Sequence, residues 1–173
     1  ARANQKALSI KCVSNLKQVG LAINLYASDN QDQLPGPCST GGASGYYSVI
    51  TGNSELAYYL SGYLGGRAPS SLAYGTAAYL PAMFCPGYGR FSKEDPNAAM
   101  MRVNYMVTAI HSNGPVYVPP DRLPFGYPVQ NGSIPKTAPM KLTSVGSLGP
   151  VSETYAVSDV DAQLWPWGEW SAV

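Results

Sequence analysis

Asp159 and Asp161 are the residues of this sequence best suited to holding a metal ion. They lie two residues apart, after a predicted strand, next to Ser158 and downstream of Glu153. Carboxylate oxygens are ligands that Ca²⁺ prefers, so calcium is the ion that this pair would bind. No glycine supplies the sharp turn of a calcium loop, and an apolar run begins beside Gln163. A solvated acidic turn is therefore the favoured interpretation, and a calcium site is the alternative.

The three cysteines, Cys12, Cys38 and Cys85, are the other residues with metal or redox chemistry. They contain no Cys-x-x-Cys pair and the chain has one His, so a structural zinc site is not expected. An odd number of cysteines allows at most one internal disulfide, either Cys12–Cys85 or Cys38–Cys85. An oxidising compartment favours one such bridge, and three reduced, partly buried thiols are the alternative.

No nucleophile and base can be paired from the sequence. His111 is the single histidine, and no serine lies in a Gly-x-Ser-x-Gly elbow. Ser133 and Lys136 match a Ser-x-x-Lys spacing, but Pro135 stands between them, where the helix that such a pair needs would be broken. No glycine-rich phosphate loop precedes a helix. We therefore predict no catalytic site and no cofactor other than the calcium considered above, and expect that the protein is not an enzyme.

Aromatic residues offer a different chemistry, that of recognition. Trp165, Trp167 and Trp170 lie close together, and the chain has 13 tyrosines. Exposed aromatic rings stack on sugars or dock a protein partner, so a secreted or surface carbohydrate- or protein-binding module is one hypothesis. The competing interpretation is that Trp165 and Trp170 cover the apolar face of a sheet and hold the C-terminal segment in place.

The composition limits the class of protein that must position these residues. At 173 residues the chain fits one domain with a substantial core. Its net charge is +1 with 12% charged residues, so the basic excess of a nucleic-acid-binding protein is missing. No run approaches the roughly 18 apolar residues of a membrane span.

A long amphipathic helix is predicted from Ala3 to Ser28, ended by Asp29, Asn30 and Pro35. It would be roughly 39 Å long. A wide apolar stripe could cover a sheet, with Lys11, Asn15 and Gln18 lying to one side of it. The stripe consists of Leu8, Cys12, Val13, Leu16, Val19, Gly20, Ile23 and Tyr26.

A second, narrower strip faces away from that stripe and comprises Ile10, Leu21 and Leu25, with two alanines nearby. A partner helix could bury it, although single exposed leucines are also common on ordinary surfaces. The helix carries four basic residues and no acidic one before Asp29. Such a segment suits either an anionic membrane surface or a solvated basic helix edge.

The rest of the chain is predicted to complete an α+β fold. Residues 30–45 are expected to form a loop, and residues 53–66 contain a short helix ended by glycines. Strands are predicted at 102–110 and 154–158, with a third edge at 82–84 and short pieces near Val116 and Met140. Together they would make a small antiparallel sheet of three or four strands, with long loops, laid on the N-terminal helix. Residues 1–29 and 30–173 are thus expected to be the helix and the head of one domain.

The N-terminal segment ARANQKALSIKCVSNLKQVGLAINLYASDNQDQLP resembles prepilin-type proteins of the type II secretion pseudopilin and type IV pilin-like class. The likeness rests on Cys-x-x-Asn-Leu-Lys-Gln-x-Gly-Leu-Ala from Cys12 to Ala22, followed by Tyr26, Asp29, Asn30 and Pro35. FCPGYG and LTSVGSLGPVSETYAVSDVD are similar to such proteins more weakly. The strong part covers about 35 residues and the whole about 60.

The resemblance implies a pilin-like fold and a precursor that is longer at its N-terminus. Members of the class carry a short basic leader, which a prepilin peptidase removes before methylating the new terminus, and then about 20 apolar residues. It implies a domain in the periplasm or at the cell surface, anchored in the inner membrane. Ile10, Leu21 and Leu25 would then pack against other pilin or pseudopilin subunits. Some pseudopilins hold calcium in a C-terminal loop, which supports the calcium alternative at Asp159 and Asp161.

Overall fold

The computed structural model describes residues 2–38, 41–49, 55–86, 103–107, 123–127, 136–148 and 157–159. They form an α+β fold. The helices are α1 (Arg2–Asp29) and α2 (Glu55–Leu60), and 3₁₀ helices span Pro69–Ser71, Pro81–Met83 and Leu142–Leu148. The strands are β1 (Gly41–Ala43), β2 (Gly45–Tyr46), β3 (Ala78–Tyr79), β4 (Val103–Val107) and β5 (Val157–Asp159).

Helix α1 begins and ends within one residue of the predicted bounds. Its last carbonyls are satisfied locally, because the backbone N–H of Asn30 donates to Tyr26 O at 3.0 Å and that of Asp32 donates to Ala27 O at 2.8 Å. Gln31 and Asp32 adopt φ values of 57° and 70°, in the left-handed region where a helix cannot continue. The polar residues after Ser28 therefore end the helix, as the sequence predicts.

Two antiparallel sheets lie in the head. One has three strands in the order β1-β4-β5, with Tyr105 opposite both Gly42 and Asp159, and the other pairs β2 with β3. The prediction that residues 30–45 form a loop was wrong, because Gly41–Ala43 and the first residue of β2 are strand. Glycine disfavours strands because it has no side chain to pack on neighbouring strands. The hydrogen bonds between strands use only backbone groups, so the glycines of β1 can still pair with β4 at the edge of the sheet.

The two predicted strands of the larger sheet are confirmed where they are described. β4 lies inside the predicted 102–110 and β5 overlaps the predicted 154–158. Residues 108–110, 154–156 and Val116 lie outside the described residues, as do the side chains of β4. Near Met140 the chain makes two isolated bridges, Tyr127 with Thr137 and Gln33 with Lys141, and continues as a 3₁₀ helix.

The predicted strand edge at 82–84 was wrong, since Pro81–Met83 is a 3₁₀ helix. Pro81 stands at its first turn, where a fixed φ and a missing N–H favour helical geometry over a ladder. Helix α2 confirms the predicted short helix, and the chain turns away from it at Gly65, whose φ is +71°. Leu56 and Leu60, on its inner side, are fully buried.

One hydrophobic core joins the N-terminal helix to the head. Helix α1 packs against α2, the Pro81–Met83 3₁₀ helix and β5, rather than lying directly on a broad sheet face as predicted. The segment after α1 is held in place because Leu34 N–H donates to Met140 O at 2.9 Å and Cys38 N–H donates to Phe125 O at 3.0 Å. The core contains Val19, Ala22, Ile23, Leu34, Cys38, Tyr46, Leu56, Ala57, Leu60, Leu72, Leu80, Met83 and Phe125.

Candidate functional site

Helix α1 buries one face and exposes the opposite one. The buried face follows the predicted stripe through Cys12, Val19 and Ile23, and adds Ala22 and Ala27. The stripe was predicted one residue too wide, because Val13 is 50% exposed. Val13 lies about 100° from Cys12 around the helix, beyond the edge of the surface that the head covers.

Asn15 lies on the buried face, which corrects its predicted place at the side of the stripe. Its side-chain Nδ2 donates to the carbonyl of Phe84 at 2.7 Å and more weakly to that of Pro81 at 3.4 Å. The carbonyl of Pro81 already accepts from the backbone N–H of Phe84 at 3.2 Å, so the shorter bond, to Phe84 O, is the one that satisfies the buried amide of Asn15. The polarity of Asn15 alone predicts an exposed position. Its hydrogen-bond acceptors, the carbonyls of Pro81 and Phe84, become apparent only in the folded structure.

The outer strip of α1, defined here as Ile10, Leu21 and Leu25, lies in solvent. Leu21 is 62% exposed and Ile10 is 61% exposed. The strip lies on the side of the helix opposite Val19 and Ile23, and Lys6 and Lys17, both exposed, lie along one edge of it. An aliphatic strip bordered by ammonium groups can pack against an apolar or aromatic surface and attract negative charge.

The first turns of α1 extend past the head. Residues 3–11 are exposed except Leu8, which is half-buried, so roughly 14 Å of helix has little cover. Isolated helices of this length are marginal in water, and here the helix is continued by packed turns. Within the described residues, no helix is long and apolar enough to cross a membrane.

A disulfide fastens α1 to the head next to the Asn15 contact. Cys12 is bonded to Cys85, with a Cα–Cα distance of 5.1 Å, and Leu16 and Val157 pack against the pair. The alternative Cys38–Cys85 pairing was wrong. Cys38 is buried in the main core, where its thiol donates to the carbonyl of Pro35 at 3.2 Å.

The acidic residues at the C-terminal end of α1 have structural partners. Tyr63 donates its hydroxyl to Asp29 Oδ2 at 3.0 Å, and Asp32 Oδ2 accepts from the backbone N–H of Thr143 at 3.2 Å and from its hydroxyl. These bonds tie the end of the helix to α2 and to the Leu142–Leu148 3₁₀ helix. The two carboxylates therefore hold the head in position.

Tyrosines pack around the same end of the helix. Tyr26 makes edge-to-face contacts with Tyr59 and Tyr63, at ring-centroid distances of 6.0 and 5.8 Å. Burial raises the pKa of Tyr26, and burial followed by the hydrogen bond to Asp29 raises the pKa of Tyr63. Burial also raises the pKa of Tyr46, whose hydroxyl donates to Arg67 O at 2.7 Å.

A second exposed apolar group, which sequence reasoning missed, lies on the two-stranded sheet. The ribbon patch, defined here as Val49, Tyr74 and Tyr79, consists of one residue of β3 and two residues that lie three and four positions outside the β2–β3 pair. Tyr74 is 88% exposed at the second position of a turn closed by Thr76 N–H to Ala73 O at 3.0 Å. The signal was present as Ala-Tyr-Gly-Thr, because a type II turn favours glycine at its third position and places the second side chain outward.

The predicted calcium ligands remain a prediction. β5 ends at Asp159, whose side chain lies outside the described residues together with Asp161, Glu153 and Gln163. Among the residues that the structure does describe, no group of three or more His, Cys, Asp and Glu side chains could hold a metal ion. His111, Ser133 and the three tryptophans also fall outside the described ranges.

Comparisons with known protein families, with curated proteins and with solved structures find no match to this chain.

Proposed function

We propose that this protein is a structural subunit of a type II secretion pseudopilus or a type IV pilus-like filament, supporting protein secretion or the assembly of a surface fibre. The observation that carries the proposal is the outer strip of α1. Ile10, Leu21 and Leu25 lie in solvent on the helix side opposite the core, although burying the exposed half of each side chain would contribute roughly 1 kcal/mol.

A filament explains why the helix is longer than the head requires. The head covers α1 from Cys12 onward, yet the helix begins at Arg2 with its first turns almost uncovered. In a filament, neighbouring subunits would cover these turns and the outer strip. Leu21 and Leu25 are one turn apart and Ile10 lies about three turns earlier, so the strip offers a partner two separate apolar contacts.

The proposal includes a pilin-like head and a precursor anchored in the inner membrane by an apolar helix continuous with α1. The head would lie in the periplasm or at the cell surface. The Cys12–Cys85 disulfide supports such a location, because disulfides persist in oxidising compartments and are rare in the cytosol. The covalent link that this disulfide makes between α1 and the head also suits a subunit in which the helix transmits mechanical force to the head.

Photo-crosslinking in the native host tests the proposal. A photoreactive amino acid at Leu21 of the full-length gene product should give a ladder of bands spaced by the mass of that full-length subunit. The matched control is Ala138, which is exposed in the head outside α1 and should give no ladder. The absence of a ladder from both Leu21 and Ile10 would refute assembly through this helix.

A secreted binding module is the second candidate, favoured by the exposure of Tyr74. In that case the gene would encode an ordinary cleavable signal peptide, in place of a basic leader and about 20 apolar residues. The coding sequence upstream of Ala1 therefore separates the two candidates directly.

A further inference from the structure

We propose that the C-terminal end of α1 is a binding site for an organic ammonium group, supplied either by a lysine side chain of another polypeptide or by a small quaternary ammonium ion. The tyrosine site, defined here as Tyr26, Tyr59, Tyr63 and Asp29, combines aromatic rings with a carboxylate. The inference goes beyond the proposed function and does not depend on it, because no residue of the outer strip belongs to the site.

Ring contacts join the three tyrosines into one surface. Tyr26, on the last turn of α1, meets Tyr59 with the ring centroids 6.0 Å apart and Tyr63 with the centroids 5.8 Å apart, at interplanar angles of 78° and 67°. All three side chains are half-buried, so each ring keeps part of its surface in contact with solvent. Clustered aromatic rings of this kind are used by proteins to recognise quaternary ammonium groups and methylated lysine.

Asp29 adds a negative charge beside these rings. Its Oδ2 accepts a hydrogen bond from the hydroxyl of Tyr63 at 3.0 Å, and the residue itself is exposed. An ionised carboxylate has about four acceptor sites, and this bond occupies one of them. An ammonium group packed on the rings would therefore meet carboxylate oxygens at the same place.

The backbone makes the same end of α1 negative for a second reason. The C-terminus of a helix carries roughly half a negative charge, so basic side chains are stabilising there and acidic ones are not. Helix α1 nevertheless ends at Asp29 and has no basic residue in its last turn. Helix α2, which ends at Leu60 between the other two tyrosines, has none in its last turn either. Neither last turn supplies the cation that the helix dipole and the carboxylate both favour.

An organic ammonium group fits this site better than a metal ion does. Among the residues that the structure describes, no group of three or more His, Cys, Asp and Glu side chains could hold a metal. An alkylated ammonium group needs no such set of ligands. Its methyl or methylene groups pack on the rings, while its charge is attracted to the ring faces and to the carboxylate.

Titrations of the isotope-labelled protein followed by NMR test the inference. The two probes are tetramethylammonium chloride and Nα-acetyl-lysine methylamide, and sodium chloride at equal ionic strength is the control. We expect saturable shifts of the backbone amide signals of residues 26–30 and 59–64, with half-saturation in roughly the millimolar range for at least one probe. Sodium chloride should give no saturable shift of these signals.

Matched variants assign the binding to the tyrosine site. Tyr59→Leu removes one ring and Asp29→Asn removes the charge, and each should weaken binding by about fivefold. The control is Tyr74→Leu, which removes a tyrosine that is 88% exposed and lies outside the site, and which should leave the affinity unchanged. Asp29 is exposed, so Asp29→Asn keeps the test decisive if Tyr59→Leu fails to fold.

The pattern of losses identifies the source of the ammonium group. Tighter binding of the lysine analogue, with the larger loss in Asp29→Asn, would indicate a polypeptide lysine, because its N–H groups donate to the carboxylate. Tighter binding of tetramethylammonium, with the larger loss in Tyr59→Leu, would indicate a quaternary ammonium ion.

Two results would overturn the inference. One is the absence of saturable shifts with both probes, and the other is binding that stays equally tight in Tyr59→Leu and Asp29→Asn. Neither result bears on the crosslinking ladder from Leu21, so the proposed filament subunit would stand or fall separately.

Discussion

The side-chain amide of Asn15 donates a 2.7 Å hydrogen bond to the carbonyl of Phe84, one residue before the cysteine that is bonded to Cys12. A hydrogen bond and a disulfide therefore join adjacent turns of α1 to the same short segment of the head. Together they fix the direction in which the helix leaves the head, and with it the orientation of the outer strip.

Replacing Asn15 by Leu should destabilise the fold by about 1–3 kcal/mol, because the carbonyl of Phe84 would lose its buried donor. Urea denaturation followed by circular dichroism measures the free energy of unfolding. Asn24→Leu is the matched control, since Asn24 donates to Gly20 O at the exposed surface of the same helix. A control loss as large as that of Asn15→Leu would contradict the role of burial.

Removing the disulfide by the double change Cys12→Ser and Cys85→Ser should lower the free energy of unfolding by about 4 kcal/mol. The figure follows from the loop entropy of a cross-link between residues 73 apart in sequence. Reduction with dithiothreitol should produce the same loss in the parent protein and none in the double variant. In Cys38→Ala, reduction should still lower the free energy of unfolding. If reduction had no effect on that variant, Cys38 would be a partner in the disulfide and the Cys12–Cys85 pairing would be wrong.

Gly126→Ala should cost more than Gly75→Ala, although both glycines have positive φ, at 66° and 76°. A Cβ at Gly126 would lie 2.5 Å from Thr137 O, whereas one at Gly75 would meet nothing within 4 Å. Left-handed backbone alone costs roughly 1–2 kcal/mol in a non-glycine residue. Thermal unfolding should show a clearly larger loss for Gly126→Ala, and equal losses would rule out the clash as its cause.

The free energy of unfolding should fall as the pH rises above 10. Burial raises the pKa of Tyr26 and Tyr46 above the value of 10.0 for a free phenol. Below pH 10 both phenols are neutral in the folded and in the unfolded chain. Above pH 10 the unfolded chain releases these protons first, and this release stabilises the unfolded state relative to the folded one. Denaturation between pH 8 and 11 should therefore give a negative slope, which Tyr26→Phe with Tyr46→Phe should reduce. A slope unchanged in the double variant would show that other groups cause it.

The helix was predictable from the sequence because its signals are local. Apolar spacing defined its axis and its buried side, and Asp29 and Asn30 marked its end within one residue. The exposure of Ile10, Leu21 and Leu25 followed from the same periodicity. Cys12 was recognised as facing the core, which left Cys85 as one of its candidate partners.

Features that depend on distant backbone groups were not predictable. Asn15 is buried because its acceptors belong to Pro81 and Phe84, more than 60 residues away. The strand at Gly41–Ala43 exists because β4 offers it a free edge, while its own composition indicates a loop. The ribbon patch likewise depends on the pairing of β2 with β3, which neither short strand signals alone.

The two faces of α1 should respond oppositely to substitution. Leu21→Ser should leave the free energy of unfolding within about 0.5 kcal/mol of the parent, because the side chain is exposed, yet reduce crosslinked assembly about tenfold. Val19→Ala, in the buried core two residues earlier, should cost about 2 kcal/mol and leave assembly of the folded fraction unchanged. Chemical denaturation and photo-crosslinking from Ile10, measured on both variants, check the two effects. Loss of stability without loss of assembly in Leu21→Ser would place that side chain in the fold and remove it from the subunit contact.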